Sequence, residues 1–167
     1  MIHKIRDGVE PVIKKDVFVA PSADIIGEVY IEEGCSIWFN TTIRGDVMPI
    51  SIGKETNIQD NCVLHGTLNK AACKIGNRVT VGHSVVLHGC EIGDHCLIGM
   101  GSIVMDNAKI AKNCIIGAGS LVTENSQFEE GQLIVGRPAK VKRALTEQEL
   151  AFLNKSADNY LMYKTWY

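Results

Sequence analysis

The sequence predicts an all-β solenoid of hexapeptide repeats closed by a C-terminal α-helix. Three observations carry that prediction: an aliphatic residue recurs every six positions between Val19 and Val122, many of these are followed four positions later by a small or β-branched residue, and a helical three-and-four spacing is confined to the last stretch. Two inward positions per six residues describe a short flat strand followed by a tight corner. Three such hexads, about 18 residues, make one triangular coil that buries its inner face only by stacking on the next.

The repeat starts at Val19 and runs through Ile25, Ile31, Ile37 and Ile43, then restarts at Ile52, at Ile75 and at Ile92 before ending at Val122. Its small partners include Ala23, Cys35, Thr41, Thr56, Cys62, Cys96, Ser102, Cys114 and Ser120. These hexads predict nearly six coils. The breaks lie between Ile43 and Ile52, between Leu64 and Ile75, and between Leu87 and Ile92, so insertions are expected near Met48-Pro49-Ile50 and through Gly66–Lys74. GRPAK (136–140) ends the repeat, which divides the chain into a β-helix over 1–140 and a helical segment over 141–167. Thr146 and Glu149 form a capping box ahead of Leu150, Leu153, Ala157, Tyr160 and Leu161, whose spacing gives the helix one apolar face to lay against a prism.

Composition narrows the function classes. A formal net charge of -2 with both signs well mixed provides no basic stripe, so nucleic acid is not an expected partner. MIHKIRDGVEPVIKKD alternates apolar and charged residues and contains no apolar run, so neither a signal peptide nor a membrane span is expected there, and the expected location is cytoplasmic. Six cysteines without a CxxC argue against a disulfide scaffold or a cysteine-zinc knuckle. Four of them, Cys35, Cys62, Cys96 and Cys114, fall on the small inward position and are expected to be packing residues.

The stretch VGHSVVLHGC (81–90) carries two histidines five positions apart, which is neither a helical spacing nor one face of a flat strand. Numbering the faces resolves the pair. Ile43, Leu64 and Leu87 share a face on successive coils, so the outward residues that follow them, Arg44, His65 and His88, form a column. His65 and His88 are then about one strand spacing apart, a ready pair of imidazole ligands. His83 belongs to the preceding face near a corner, with Asp60 at the equivalent position one coil earlier, and a ring of three prisms could bring it to a neighbour's His65 and His88. His3 and His95 have no such neighbours in this numbering and are expected to be ordinary surface residues.

SIWFNTTIRGD (36–46), IGKETNIQD (52–60), VLHG (63–66), VGHSVVLHGCEIGD (81–94), LIGMGS (97–102) and VGRPAKVKR (135–143) closely resemble the γ-class carbonic anhydrase family. That resemblance implies a left-handed β-helix, where the general rule for parallel crossovers would give a right-handed one. It also implies a homotrimer with metal ions between subunits, usually Zn2+ with Fe2+ or Co2+ as alternatives, and reversible hydration of carbon dioxide to bicarbonate. Carried over by position, His65, His83 and His88 are the implied metal ligands. Arg44 and Asp46, with Gln59 and Asp60, are the implied active-site residues, Arg44 pairing with carboxylates at the subunit interface and Gln59 orienting water or bicarbonate.

The chain departs from the family's most active pattern in one respect. Val47 stands where a glutamate would follow the arginine-aspartate motif, and Gly66–Lys74 (GTLNKAACK) has no carboxylate, which leaves Tyr160 as a candidate to carry protons away. Two rival readings share the prism: a hexapeptide-repeat acyltransferase or thioesterase acting on a coenzyme A thioester with a histidine base, and a catalytically weak trimer with a structural or assembly role.

Overall fold

The computed structural model describes residues 1–167 as a left-handed parallel β-helix with one C-terminal helix, α1 (Glu147–Tyr163). Most strands are two or three residues long, and they stack in register on three faces through seven coils. Ile37, Ile58, Val81, Ile98, Ile116 and Ile134 line one face from within, and Ile43, Leu64, Leu87 and Val104 line the second. Ile31, Ile52, Ile75, Ile92 and Ile110 line the third. All of them are buried.

The hexad count falls one coil short because the added strands sit at the edges. Ile2 pairs with Ile25 and Ile13 with Ile31 at one end, and Gln132–Gly136 lies on the strand of Ile115 and Ile116 at the other; Ile13 stands six residues before Val19 and Ile134 twelve after Val122, so the rhythm itself runs past the hexads counted between them. At the corners the chain turns through left-handed residues, among them Asn40, Asn61, Asn107, Asn113 and Asn125, the residue type that tolerates this conformation best after glycine. The small inward position has a second use. Thr41 Oγ1 donates to the Gln59 carbonyl at 2.7 Å, Thr56 Oγ1 to Gly76 at 2.8 Å and Cys96 Sγ to Ala111 at 3.1 Å, so hydroxyls and thiols there satisfy corner carbonyls on the next coil.

Ile58 is wholly buried at mid-height. Ile58→Ala is expected to lower stability by about 2–5 kcal/mol, read as a fall in the urea midpoint, because the stacked coils above and below cannot collapse into the space left.

The two insertions are accommodated differently. Met48-Pro49-Ile50 is absorbed into a single strand, Thr42–Ile52, that bends across two faces. The segment after His65 instead folds back on itself, with Thr67 and Ala71 exchanging backbone hydrogen bonds at 2.9 and 3.0 Å before Cys73 rejoins the coil. After the last coil the chain forms an antiparallel hairpin whose second strand is Ala139–Ala144, so residue 140 lies inside it. Thr146 and Glu149 make the capping box in both directions, and Glu149 also grips Arg143 through two hydrogen bonds of 2.7 and 2.8 Å. Helix α1 then lies on its own prism. Leu153, Ser156 and Ala157 are buried against the first face, Ser156 Oγ is 3.0 Å from Thr80 Oγ1, and Arg78 reaches Asp158 at 2.6 Å.

Candidate metal centre

Strand pairing aligns Arg44 with His65 and His65 with His88 on three adjoining strands of the second face. Because Ile43, Leu64 and Leu87 point inward, the residue after each must point out. The two imidazoles face one another, with His65 Nδ1 3.3 Å from His88 Nε2. The far nitrogen of each ring is held by a carboxylate: His65 Nε2 lies 3.0 Å from Asp46 Oδ1, and His88 Nδ1 lies 2.7 Å from Asp106 Oδ1. A ring that donates its proton to a carboxylate has a bare lone pair at the other nitrogen. In the neutral tautomers that donate to these carboxylates, His65 Nδ1 and His88 Nε2 would both offer a lone pair to a common space.

Asp46 is itself held by Arg44, whose Nη1 lies 2.5 Å from Oδ2, while Arg6 Nη2 donates to the Asp46 carbonyl at 3.2 Å. Burial pushes the Asp46 carboxyl up, yet the hydrogen bonds from Arg44 and His65 outweigh it and leave it below the usual carboxylate range. Asp46 thus remains charged and able to accept.

His83 sits on the preceding corner, where Ser84 takes a left-handed φ of 60° and turns the chain. Its Nδ1 lies 2.8 Å from Asp60 Oδ2, a close contact that lacks the hydrogen-bond alignment seen at the other two rings. Its surroundings differ, for it opens onto a cavity of about 480 Å³ between α1 and the first face, with Gln59, Thr80, Met100 and Tyr160 among the lining residues. Within one chain no three histidine, cysteine or acidic side chains gather around one point.

Comparison with known proteins bears on this geometry. The family model described as bacterial transferase hexapeptide (six repeats) matches residues 72–104 and 89–124. A carbonic anhydrase of Geobacillus kaustophilus is 47% identical over 161 residues, spanning 96% of this chain and 87% of its own. The chain belongs to the γ-class carbonic anhydrase family. Mitochondrial γ carbonic anhydrase 1 of Arabidopsis thaliana is 44% identical over 155 residues, and the chain spans little more than half, 56%, of that longer relative. A crystal structure of a hexapeptide transferase family protein from Anaplasma phagocytophilum superposes with a TM-score of 0.95 at 43% identity, covering 99% of this chain and 97% of the other.

For this γ-class family member the donor set fits a divalent metal. Ligand nitrogens at about 2.0–2.1 Å from a tetrahedral zinc lie about 3.3 Å from one another, the separation found between His65 Nδ1 and His88 Nε2. Asp46 and Asp106 each hydrogen-bond one nitrogen of His65 and His88 and so orient those rings, and Asp60 lies close to His83. Those residues would hold the ion as two ligands from one chain and one presented outward for a neighbour.

Of these carboxylates, Asp106 was not among the candidates read from the sequence. The signal was present, since it follows His88 by 18 residues, one full coil. Gln59 is buried, donates to Asn57 Oδ1 at 3.2 Å, and lines the cavity beside His83. Tyr160 is less suited to carrying protons than its position suggested. Burial first, then the charge of Asp60, pushes its hydroxyl up to about 12, so it stays protonated at neutral pH. His3 lies at the surface, with its Nε2 2.8 Å from Asp24. All six thiols are free and buried; burial pushes Cys62 up to about 12 and Cys35 to about 11, while the hydrogen bond with Cys96 lowers Cys114 to about 7.

Proposed function

We propose that the protein is a γ-class carbonic anhydrase that hydrates carbon dioxide to bicarbonate reversibly at sites between the subunits of a homotrimer. Each site would be held by His65 and His88 of one protomer and His83 of the partner subunit. The observation that carries this reading is the imidazole set: two rings on one face that meet at 3.3 Å, each hydrogen-bonded to an aspartate on its far nitrogen, and a third on the neighbouring corner beside Asp60.

When bound, the ion supplies Lewis acidity that activates water near neutral pH, as zinc does in other carbonic anhydrases. The chain's own residues do the rest. Neutral imidazoles leave the ion its charge, Arg44 holds the Asp46 carboxylate against His65, and Asp60 holds His83. Gln59 and the apolar walls of the cavity beside His83 would orient the substrate and limit water around it. With Val47 in place of a carboxylate and Tyr160 protonated, proton export has no dedicated side chain here and falls to buffer. Zinc is the metal we assign first, with ferrous iron and cobalt as the alternatives the same donors would accept. Buried free thiols support a cytoplasmic, reducing location, and no helix is long and apolar enough to cross a membrane.

A second reading is favoured by the same cavity. Its volume of about 480 Å³ and its apolar wall of Leu97, Ile98, Ile115 and Phe152 would accept an acyl chain, with His83 at the rim as base for transfer from or hydrolysis of a coenzyme A thioester. Stopped-flow carbon dioxide hydration on protein reconstituted with zinc, and anaerobically with iron, separates the two. Hydration above the buffer rate that depends on the metal and is limited by buffer concentration is expected. Background rates in both forms, beside metal-independent thioester cleavage, would favour the second reading.

A further inference from the structure

The turn Gly66–Ala72 lacks the carboxylates that would make it a proton carrier, yet it is closed by its own backbone and packs against the ligand column. What it touches is Asp106. Thr67 Oγ1 donates to Asp106 Oδ2 at 2.7 Å, and Lys70 Nζ lies 3.2 Å from the same oxygen while reaching Glu124 at 3.3 Å. The other oxygen, Oδ1, takes His88 Nδ1 at 2.7 Å. Asp106 is almost wholly buried, with 7% of its side chain exposed. Burial pushes its carboxyl up, but the bonds from Thr67, His88 and Lys70 more than compensate.

The backbone around this contact is shaped to it. Gly89, directly after His88, has a φ of +57°, and a Cβ there would lie 2.6 Å from both the Ala71 Cβ and Asp106 Oδ1. The space beside His88 is therefore filled by the turn and the carboxylate together. Asp46, by contrast, is braced by Arg44 on an open face with 29% of its side chain exposed. The two ligands of one chain are supported unequally.

We propose that Thr67, Lys70 and Asp106 form a latch that positions His88 and thereby sets how tightly the chain retains its metal. The latch acts through His88 and touches neither ion nor substrate, so these are positioning residues. The proposal rests on the metal reading above.

The test uses metal-free, full-length protein titrated with cobalt(II), followed by its visible absorption, with release of the bound ion to a chelator as a second readout. Asp106→Ala is expected to weaken cobalt binding about 10- to 100-fold and to speed release, with an altered absorption band. Thr67→Val should weaken binding to a smaller degree, and Thr67→Ser, which restores the hydroxyl, should bind as the parent does. Thermal unfolding of the metal-free forms separates support of the ligand from support of the fold. Should Asp106→Ala not fold, Thr67→Val and Lys70→Met carry the same comparison at the turn.

Parental affinity in Asp106→Ala, or in both Thr67→Val and Lys70→Met where only those fold, would overturn the latch while leaving the metal reading intact. A parent chain that takes up no cobalt would overturn both.

Discussion

His83→Ala is expected to lose its bound metal and keep its β-helix. The imidazole stands at a corner with 45% of its side chain exposed, outside the aliphatic core, and its one strong contact is Asp60. Removing it should change the stability of the metal-free chain by no more than about 0.5 kcal/mol, the usual range for a surface position. It nevertheless removes one of three proposed donors, and the remaining pair leaves a divalent ion poorly held at neutral pH. Elemental analysis by mass spectrometry beside circular dichroism checks both halves of this expectation. Metal content should fall to near background while the β-spectrum is unchanged. His95→Ala, on a corner with no part in the column, should retain parental metal. Full retention in His83→Ala would sink the ligand assignment.

Gly45→Ala is expected to damage fold and site together. Gly45 lies between Arg44 and Asp46, and its Cα presses on the strand below: a Cβ there would lie 2.3 Å from the Glu28 carbonyl oxygen and 2.8 Å from its carbon. Those neighbours are backbone, so the methyl group can be admitted only by moving a strand. Overpacking of this kind costs about 1–3 kcal/mol. The displaced segment carries Asp46, whose Oδ1 holds His65 at 3.0 Å, so metal affinity should fall with stability. A urea titration and a cobalt titration on the same preparation test this. A variant with the parent's midpoint and the parent's affinity would show that the close approach to Glu28 is relaxed at no cost.

The histidine column was open to sequence arithmetic because each outward ligand follows an inward aliphatic. Once Ile43, Leu64 and Leu87 are placed on one face, Arg44, His65 and His88 have nowhere else to point. The separation of His83 from that column followed from its place before the corner, and Ser84 makes the turn through a left-handed φ. Asp106 escaped because its role depends on the turn at Gly66–Ala72 folding back to meet it, and an insertion has no period. The added coil was partly legible, since Ile13 lies six residues before Val19 and Ile134 twelve after Val122, whereas Ile2 pairs at the prism's edge with no hexad spacing to announce it. Tyr160 illustrates the opposite error. Its position on α1 was legible, but the burial and the nearby charge of Asp60 that raise its hydroxyl further come from residues distant in sequence.

By itself, then, the order of residues determined the six-residue rhythm, the aliphatic interior, the capped terminal helix and the face on which each histidine stands. These follow from local rules, two inward side chains per hexad and a corner after them, that act within a few residues. Only the tertiary structure decided which nitrogens of His65 and His88 face one another, which carboxylate orients each ring, and how the helix and the folded-back turn close around the site. Those outcomes rest on hydrogen bonds between residues 18 to 80 positions apart, from His88 with Asp106 through Thr67 with Asp106 to Arg78 with Asp158. Their partners meet only when coils have stacked and an insertion has found its packing.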